Sequence, residues 1–175
     1  YAAMNISGFN SGDIKLNGAV RYRLPVFDIE ANALIQSFRP DYAFLKFKAN
    51  QFIWQNNFDK TNITKLGFSV STRNLKHNAT IHFQNFALQN WVYVNTNGTP
   101  NQNKGTFIVQ SITLSKTFNV WKFYFEHELF FQKSFSQVIR VPNFSGMTRY
   151  YFASKFAKKM NFQLGFAVFY NTAYF

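Results

Sequence analysis

The feature that most limits what this chain can become is an alternation of period two. Between residues 14 and 24 the even positions read Ile14, Leu16, Gly18, Val20, Tyr22 and Leu24, and the odd ones Lys15, Asn17, Ala19, Arg21 and Arg23. Successive side chains of a β-strand point to opposite faces, so this segment is expected to be a strand with one apolar and one wet face. No stretch repeats apolar residues at the three-and-four spacing of an amphipathic helix. Nor does any window offer the roughly 17–25 consecutive apolar residues of a spanning helix without a Lys, Arg, Asn or Gln interrupting it. The expected fold class is all-β and antiparallel.

The alternation recurs along the chain. Residues 27–38 set Ile29, Ala31, Ala33 and Ile35 against Asp28, Glu30, Asn32 and Gln36. Residues 42–55 read as one strand with Leu45 and Phe47 opposed to Lys46 and Lys48; the parity slips near Gln51, where Phe52 and Trp54 take over the apolar side, as at a β-bulge. Residues 63–72 carry Leu66, Phe68 and Val70 on one face, and residues 77–94 are long enough to expect a bulge near Asn85. Residues 106–116 and 119–133 are expected to pair about a two-residue turn at Thr117 and Phe118, with Leu114 beside Trp121 and Ile112 beside Phe123. In the last hairpin, pairing Phe156 with Met160 sets Phe152 by Leu164 and Tyr150 by Phe166. On its other face Tyr151 then covers Gly165, a device that stabilises curved sheets. Turns at 117–118 and 157–159 are short, whereas the connections at 96–105 and 134–146 are long and rich in turn residues. Outer-membrane barrels have this asymmetry, with the long loops outside the cell. The whole of 1–175 reads as one domain of about nine or ten strands.

A soluble β-sandwich also alternates, so length and composition have to decide. Soluble strands average about five to six residues and spanning strands about nine to eleven; the clear segments here approach the longer figure. The chain holds 24 Phe, 9 Tyr and 3 Trp but few Gly and Pro, too few for the frequent turns of a sandwich. Trp91, Tyr93, Trp121, Tyr170 and Tyr174 fall toward strand ends, as in aromatic girdles. A transmembrane β-barrel, or a partial arc of one, is therefore expected. Its lipid-facing side would carry Trp121, Phe123, Phe125, Phe152, Phe162, Leu164 and Phe166. Its water-filled lumen would receive Lys15, Arg21, Arg23, Lys46, Lys48, Lys65, Lys122, Arg149 and Lys155, since a charge in mid-bilayer costs roughly 2–4 kcal/mol. His127 is the exception, because parity places it among Phe125 and Leu129.

Lys and Arg number 19 against 7 Asp and Glu, a formal net charge of +12. Fixed positive charge in a narrow lumen draws anions in and disfavours cations. The expected function is passive diffusion of small polar or anionic solutes, with outer-membrane lipid as the other partner. The alternative is a non-conducting structural barrel whose loops bind a partner or a glycan; about eight strands close around their own side chains, whereas sixteen or more leave an aqueous pore. No enzyme activity, metal or cofactor is expected. Cysteine is absent, His77, His82 and His127 have no metal-ligand spacing, and no G-x-S-x-G occurs. Glu126 and Glu128 share a face, but with Lys122 nearby they read as a salt lattice rather than an acid/base pair. Nucleic acid is disfavoured because the aromatics form a continuous apolar face instead of a few rings among basic residues.

The stretch VIRVPNFSGMTRYYFASKFAKKMNFQLGFAVFYNTAYF at 138–175 resembles the outer-membrane β-barrel porin family of Bacteroidetes. A basic, apolar and Pro-containing loop there precedes an aromatic strand, a lysine turn and an aromatic strand with a Gly. The segment YRLPVF at 22–27 is similar in style. The resemblance implies a β-barrel in a bacterial outer membrane and assigns no catalytic or binding residues. It also implies a longer chain, so with an odd strand count these residues are expected to form an incomplete arc. Phe175 resembles the terminal signal read by barrel-insertion machinery, and a leader ahead of Tyr1 is expected to have been cleaved or to lie outside the sequence.

Overall fold

In the computed structural model, residues 1–73, 78–156 and 160–173 are described. The expected turn at 157–159, the strand start at His77, and the girdle and terminal positions Tyr174 and Phe175 lie outside them. Eleven strands and one helical turn follow in order: β1 (Ala2–Met4), β2 (Ile14–Arg23), β3 (Phe27–Phe38), α1 (Tyr42–Leu45), β4 (Lys46–Lys48), β5 (Ile53–Gln55), β6 (Thr61–Thr72), β7 (Ala79–Val94), β8 (Pro100–Val120), β9 (Phe123–Ser134), β10 (Phe144–Phe156) and β11 (Met160–Asn171). Nine of the strands form one antiparallel sheet in the order β1-β2-β3-β6-β7-β8-β9-β10-β11, and β4 pairs only with β5. The sheet is all-β and open along both edges, consistent with the arc of a barrel. No helix among the described residues is long and apolar enough to cross a membrane.

Register fixes which side chains share a face. From Arg21↔Glu30, Glu30↔Ser69, Ser69↔His82, His82↔Thr113, Thr113↔Phe130 and Phe130↔Ser145, one face runs from β2 to β10. The other runs through Val20↔Ala31, Ala31↔Phe68, Phe68↔Phe83, Phe83↔Ile112, Ile112↔Phe131 and Phe131↔Phe144. The first face is mainly polar and the second mainly apolar. A sheet in water buries its apolar face under a second layer, but here Val20 is 74%, Leu66 54%, Phe68 47% and Leu164 67% exposed. Leu88 and Phe107, each 6% exposed, are the only buried hydrophobics among the described residues. The register Ile63↔Leu88↔Phe107 puts both on the polar face, toward the end where the long connections lie.

Among the described residues, the connections 24–26 and 121–122 join strands at one end, and 5–13, 39–60, 95–99 and 135–143 join them at the other. The last hairpin has the expected register in full, with Phe156↔Met160, Phe152↔Leu164, Tyr150↔Phe166 and Tyr151↔Gly165. A Cβ at Gly165 would lie 2.4 Å from both Tyr151 Cβ and Tyr150 O, so this close approach needs glycine.

Several expectations are corrected. The strand over 42–55 is instead α1 followed by the β4–β5 hairpin, and the parity slip near Gln51 marks where the chain doubles back between Lys48 and Ile53. The bulge expected near Asn85 falls at Asn90, which has φ 57° and separates the registers of Gln89 and Trp91. Asn tolerates this left-handed conformation better than most residues because its side chain bonds locally. The connection expected at 96–105 shortens to 95–99, since Pro100 already opens β8, and the one at 134–146 shortens to 135–143. The turn expected at Thr117 and Phe118 lies at Trp121 and Lys122, with Val120↔Phe123 closing it. Leu114 therefore meets Leu129 and Ile112 meets Phe131, rather than Trp121 and Phe123.

Candidate functional site

The polar face is the candidate solute-facing wall, and its ionised groups are organised in cross-strand pairs. Arg21 on β2 donates to Glu30 on β3 from Nε at 3.0 Å and Nη2 at 2.6 Å. Arg73, just past β6, donates from Nη1 to the Leu24 carbonyl at 3.1 Å and holds its Nε 3.7 Å from Asp28 Oδ1. That Asp28 oxygen is buried and accepts no hydrogen bond among the described residues, so Arg73 offsets its charge only through space. On the far side of the arc, Glu126 on β9 is held by two partners from β10: Arg149 Nε donates at 2.8 Å and the Tyr151 hydroxyl at 2.8 Å. Tyr151 stacks on Tyr124 with centroids 4.9 Å apart and planes 4° from parallel. Short polar side chains lie between these clusters. Ser69, Ser71, Thr80, His82 and Gln84 join Arg21, Asp28, Glu30 and Asn32 around a crevice of about 500 Å³.

Pairing leaves an excess of one sign. Of seven Asp and Glu, Asp28, Glu30 and Glu126 are matched on this face by Arg73, Arg21 and Arg149, while Glu128 shares the face through Ser115↔Glu128. Lys15, Arg23, Lys65 and Lys155 also stand on this face by register, and none makes an ion pair among the described residues. Lys65 Nζ lies 5.5 Å from the centroid of Phe86, a cation–π distance.

Six of the basic residues expected on one face are thus on it, namely Lys15, Arg21, Arg23, Lys65, Arg149 and Lys155. Lys46 and Lys48 are not, because they belong to the separate β4–β5 hairpin. Lys122 is also misplaced: it lies in the β8–β9 turn, donates to Ser154 Oγ at 2.8 Å and sits over the rings of Trp121 and Phe152. Ser154 and Phe152 belong to the apolar face, so Lys122 is at that face's rim; turn residues do not obey strand alternation. Trp121 takes φ 55° in the same turn, a position where glycine is usual. Its ring lies 6.1 Å from Phe123 and 6.0 Å from Phe152. Phe123, Phe125, Phe152, Phe162, Leu164 and Phe166 share the apolar face.

At the long-connection end a network appears that spacing along the chain gave no sign of. Asp13 accepts from the Arg39 backbone N–H at 3.0 Å and pairs with Lys60 Nζ at 3.1 Å. The bulge residue Asn90 accepts from Thr61 Oγ1 at 2.9 Å and from Gln102 Nε2 at 2.9 Å, and its own Nδ2 donates to the Lys60 carbonyl at 3.2 Å. Gln102 also exchanges two bonds with the Asp59 backbone, donating at 2.8 Å and accepting at 3.0 Å. These contacts tie residues 39–60 to Asp13, just ahead of β2, and to the bulged ribbon of β7 and β8.

No group of three or more His, Asp or Glu among the described residues could hold a metal ion. A wall of this kind, one bare apolar face backed by a charge-paired polar one, can be compared with known proteins. A family described as "Putative porin" matches residues 1–175. The chain belongs to this family. No curated protein and no solved structure matches it. Membership gives the chain a porin-like role, and the two-faced sheet of this porin-family chain is the part of it suited to that role.

Proposed function

We propose that this chain forms part of the wall of a bacterial outer-membrane channel through which small polar solutes diffuse passively, with a preference for anions. The observation that carries the reading is the contrast between the faces. An apolar face this exposed is stable against lipid and a liability in water. The polar face then borders water, with Lys15, Arg23, Lys65 and Lys155 outnumbering the one unmatched acid there, Glu128, above a background of paired charges. Strands of 10 to 13 residues in β2, β3, β6, β9, β10 and β11 meet the length a tilted spanning strand needs. β7 and β8, at 16 and 21 residues, exceed it and extend beyond the bilayer as a ribbon. Unpaired strand edges are not tolerated in lipid, so both edges of the arc pair with further strands in the functional barrel. The long-connection end faces outside the cell, and residues 39–60 and 135–143 narrow the mouth.

Planar-bilayer recording on the full-length protein tests this. Discrete conductance with a reversal potential displaced toward anions is expected under a salt gradient. A folded barrel with no conductance refutes the channel. Conductance that prefers cations refutes the assignment of the free basic residues to the lumen.

A further inference from the structure

The crevice of about 500 Å³ on the polar face is lined by polar side chains alone, drawn from β2, β3, β6 and β7. Successive cross-strand rows build it: Asp28, Ser71 and Thr80; then Glu30, Ser69 and His82; then Asn32, Gly67 and Gln84. In the last row glycine leaves the floor open. A Cβ at Gly67 would lie 2.5 Å from Asn32 Oδ1, so the Asn32 amide reaches across that position toward Gln84. β3, β6 and β7, which supply all of the lining but Arg21, are each paired on both sides, so the wall needs no further strand.

The neutral groups of this wall do not bond one another. Among the described residues, Asn32, Ser69, Ser71, Thr80, His82 and Gln84 have no side-chain hydrogen bond. One residue along β7, on the apolar face, Asn85 accepts from Gln110 Nε2 at 3.0 Å. An amide is thus satisfied on the side that lacks water and left open where a solute can reach it.

The charges, by contrast, are matched to each other. Arg21 directs both of its bonds to Glu30 Oε2, leaving Glu30 Oε1 and Arg21 Nη1 without a partner among the described residues. Arg73 lies 3.7 Å from Asp28, so guanidinium and carboxylate balance at the crevice. Lys15, Arg23, Lys65 and Lys155 do not line it. An entering anion meets Asp28 and Glu30, and an entering cation meets Arg21 and Arg73. A neutral hydroxyl avoids both penalties: it donates to Glu30 Oε1 or accepts from Arg21 Nη1, and the amides and hydroxyls around it bond in either sense. The volume is that of a small-molecule site.

We propose that this crevice is a binding subsite for a neutral, hydroxyl-rich solute of mono- or disaccharide size, held briefly as it crosses. The inference rests on the channel reading above and adds a saturable site to it.

Single channels of the full-length protein in planar bilayers, titrated with glucose and with maltose, test it. The ion current should fall saturably with sugar, whereas a polyethylene glycol of similar size should lower it only in step with bulk conductivity. Gln84→Leu and Thr80→Val should each raise the half-blocking concentration about three- to tenfold, the worth of one hydrogen bond, with each variant's sugar-free current as its own reference. Gln163→Leu, on the polar face through Ala153↔Gln163 but outside the crevice, should leave that concentration unchanged. Current that the sugars lower only as the polymer does overturns the proposal, as does block that neither crevice variant weakens or that Gln163→Leu weakens equally. Block by glycine at a lower concentration than by either sugar overturns the choice of a neutral ligand. Those results leave the channel standing, whereas a folded barrel that carries no current removes the channel and the subsite together.

Discussion

The two faces of this sheet solve opposite problems with the same backbone. On the polar face, ionised groups are placed across strands from their partners, as with Arg21 and Glu30 or Arg149 and Glu126. Small hydroxyl and amide side chains fill the ground between. The apolar face makes no such provision: its large side chains stand bare, and rings such as Phe123 and Phe152, 5.3 Å apart, contact mainly each other. In water a sheet covers its apolar face with a second layer, and among the described residues none covers this one. The proposed channel accounts for the difference by two solvents, lipid and water, and that account can be broken by moving a charge from one side to the other.

The largest expected effect follows from that exchange. Phe68→Lys places a charge on the apolar face and should destabilise the folded barrel by about 2–4 kcal/mol if the site is near mid-bilayer. Ser69→Lys, one residue along and facing the crevice, should change stability by no more than about 0.5 kcal/mol. Denaturant unfolding in lipid vesicles measures both, and equal effects would contradict the two-solvent account.

Gly165→Ala comes next. The added methyl would stand 2.4 Å from Tyr151 Cβ and from the Tyr150 carbonyl oxygen, so β10 and β11 must separate, at a cost of roughly 1–3 kcal/mol. The same unfolding assay reads it, and a variant as stable as wild type would mean that Tyr151 does not press on this position.

Glu126→Gln should cost less, about 1 kcal/mol, because its Arg149 partner is half exposed and such pairs contribute about 0–1 kcal/mol. Its clearer signature is electrical. Freeing Arg149 on the polar face should move the reversal potential further toward anions, whereas Lys133→Gln, on the apolar face through Gln110↔Lys133, should leave it unchanged.

Faces were legible in the sequence because parity survives errors of register. The turn expected at Thr117 and Phe118 lies four residues further on, yet Leu114 still shares a face with Trp121's neighbour Phe123. Sliding a hairpin turn by whole residues changes the sum of paired positions by an even number and leaves the faces intact. Direction was not legible. Leu45, Phe47, Phe52 and Trp54 alternate acceptably as one bulged strand, but the chain turns back, and Phe47 stacks on Trp54 at 4.7 Å. Composition also misled at 100–105, where Asn, Gln, Lys and Gly suggested a loop; Asn101, Gln102 and Asn103 instead pair with Tyr93, Val92 and Trp91. The ties of Asp13, Lys60, Asn90 and Gln102 join distant segments by single side-chain bonds, which no local periodicity encodes.

A nitroxide scan along β6 in the full-length protein, reconstituted in bilayers, tests the central claim most directly. Labels at Leu66, Phe68 and Val70 should be open to lipid-dissolved oxygen and closed to a water-soluble relaxant, and labels at Lys65, Ser69 and Ser71 should show the reverse. Accessibility that rises and falls together for both reagents, with no period of two, would contradict it.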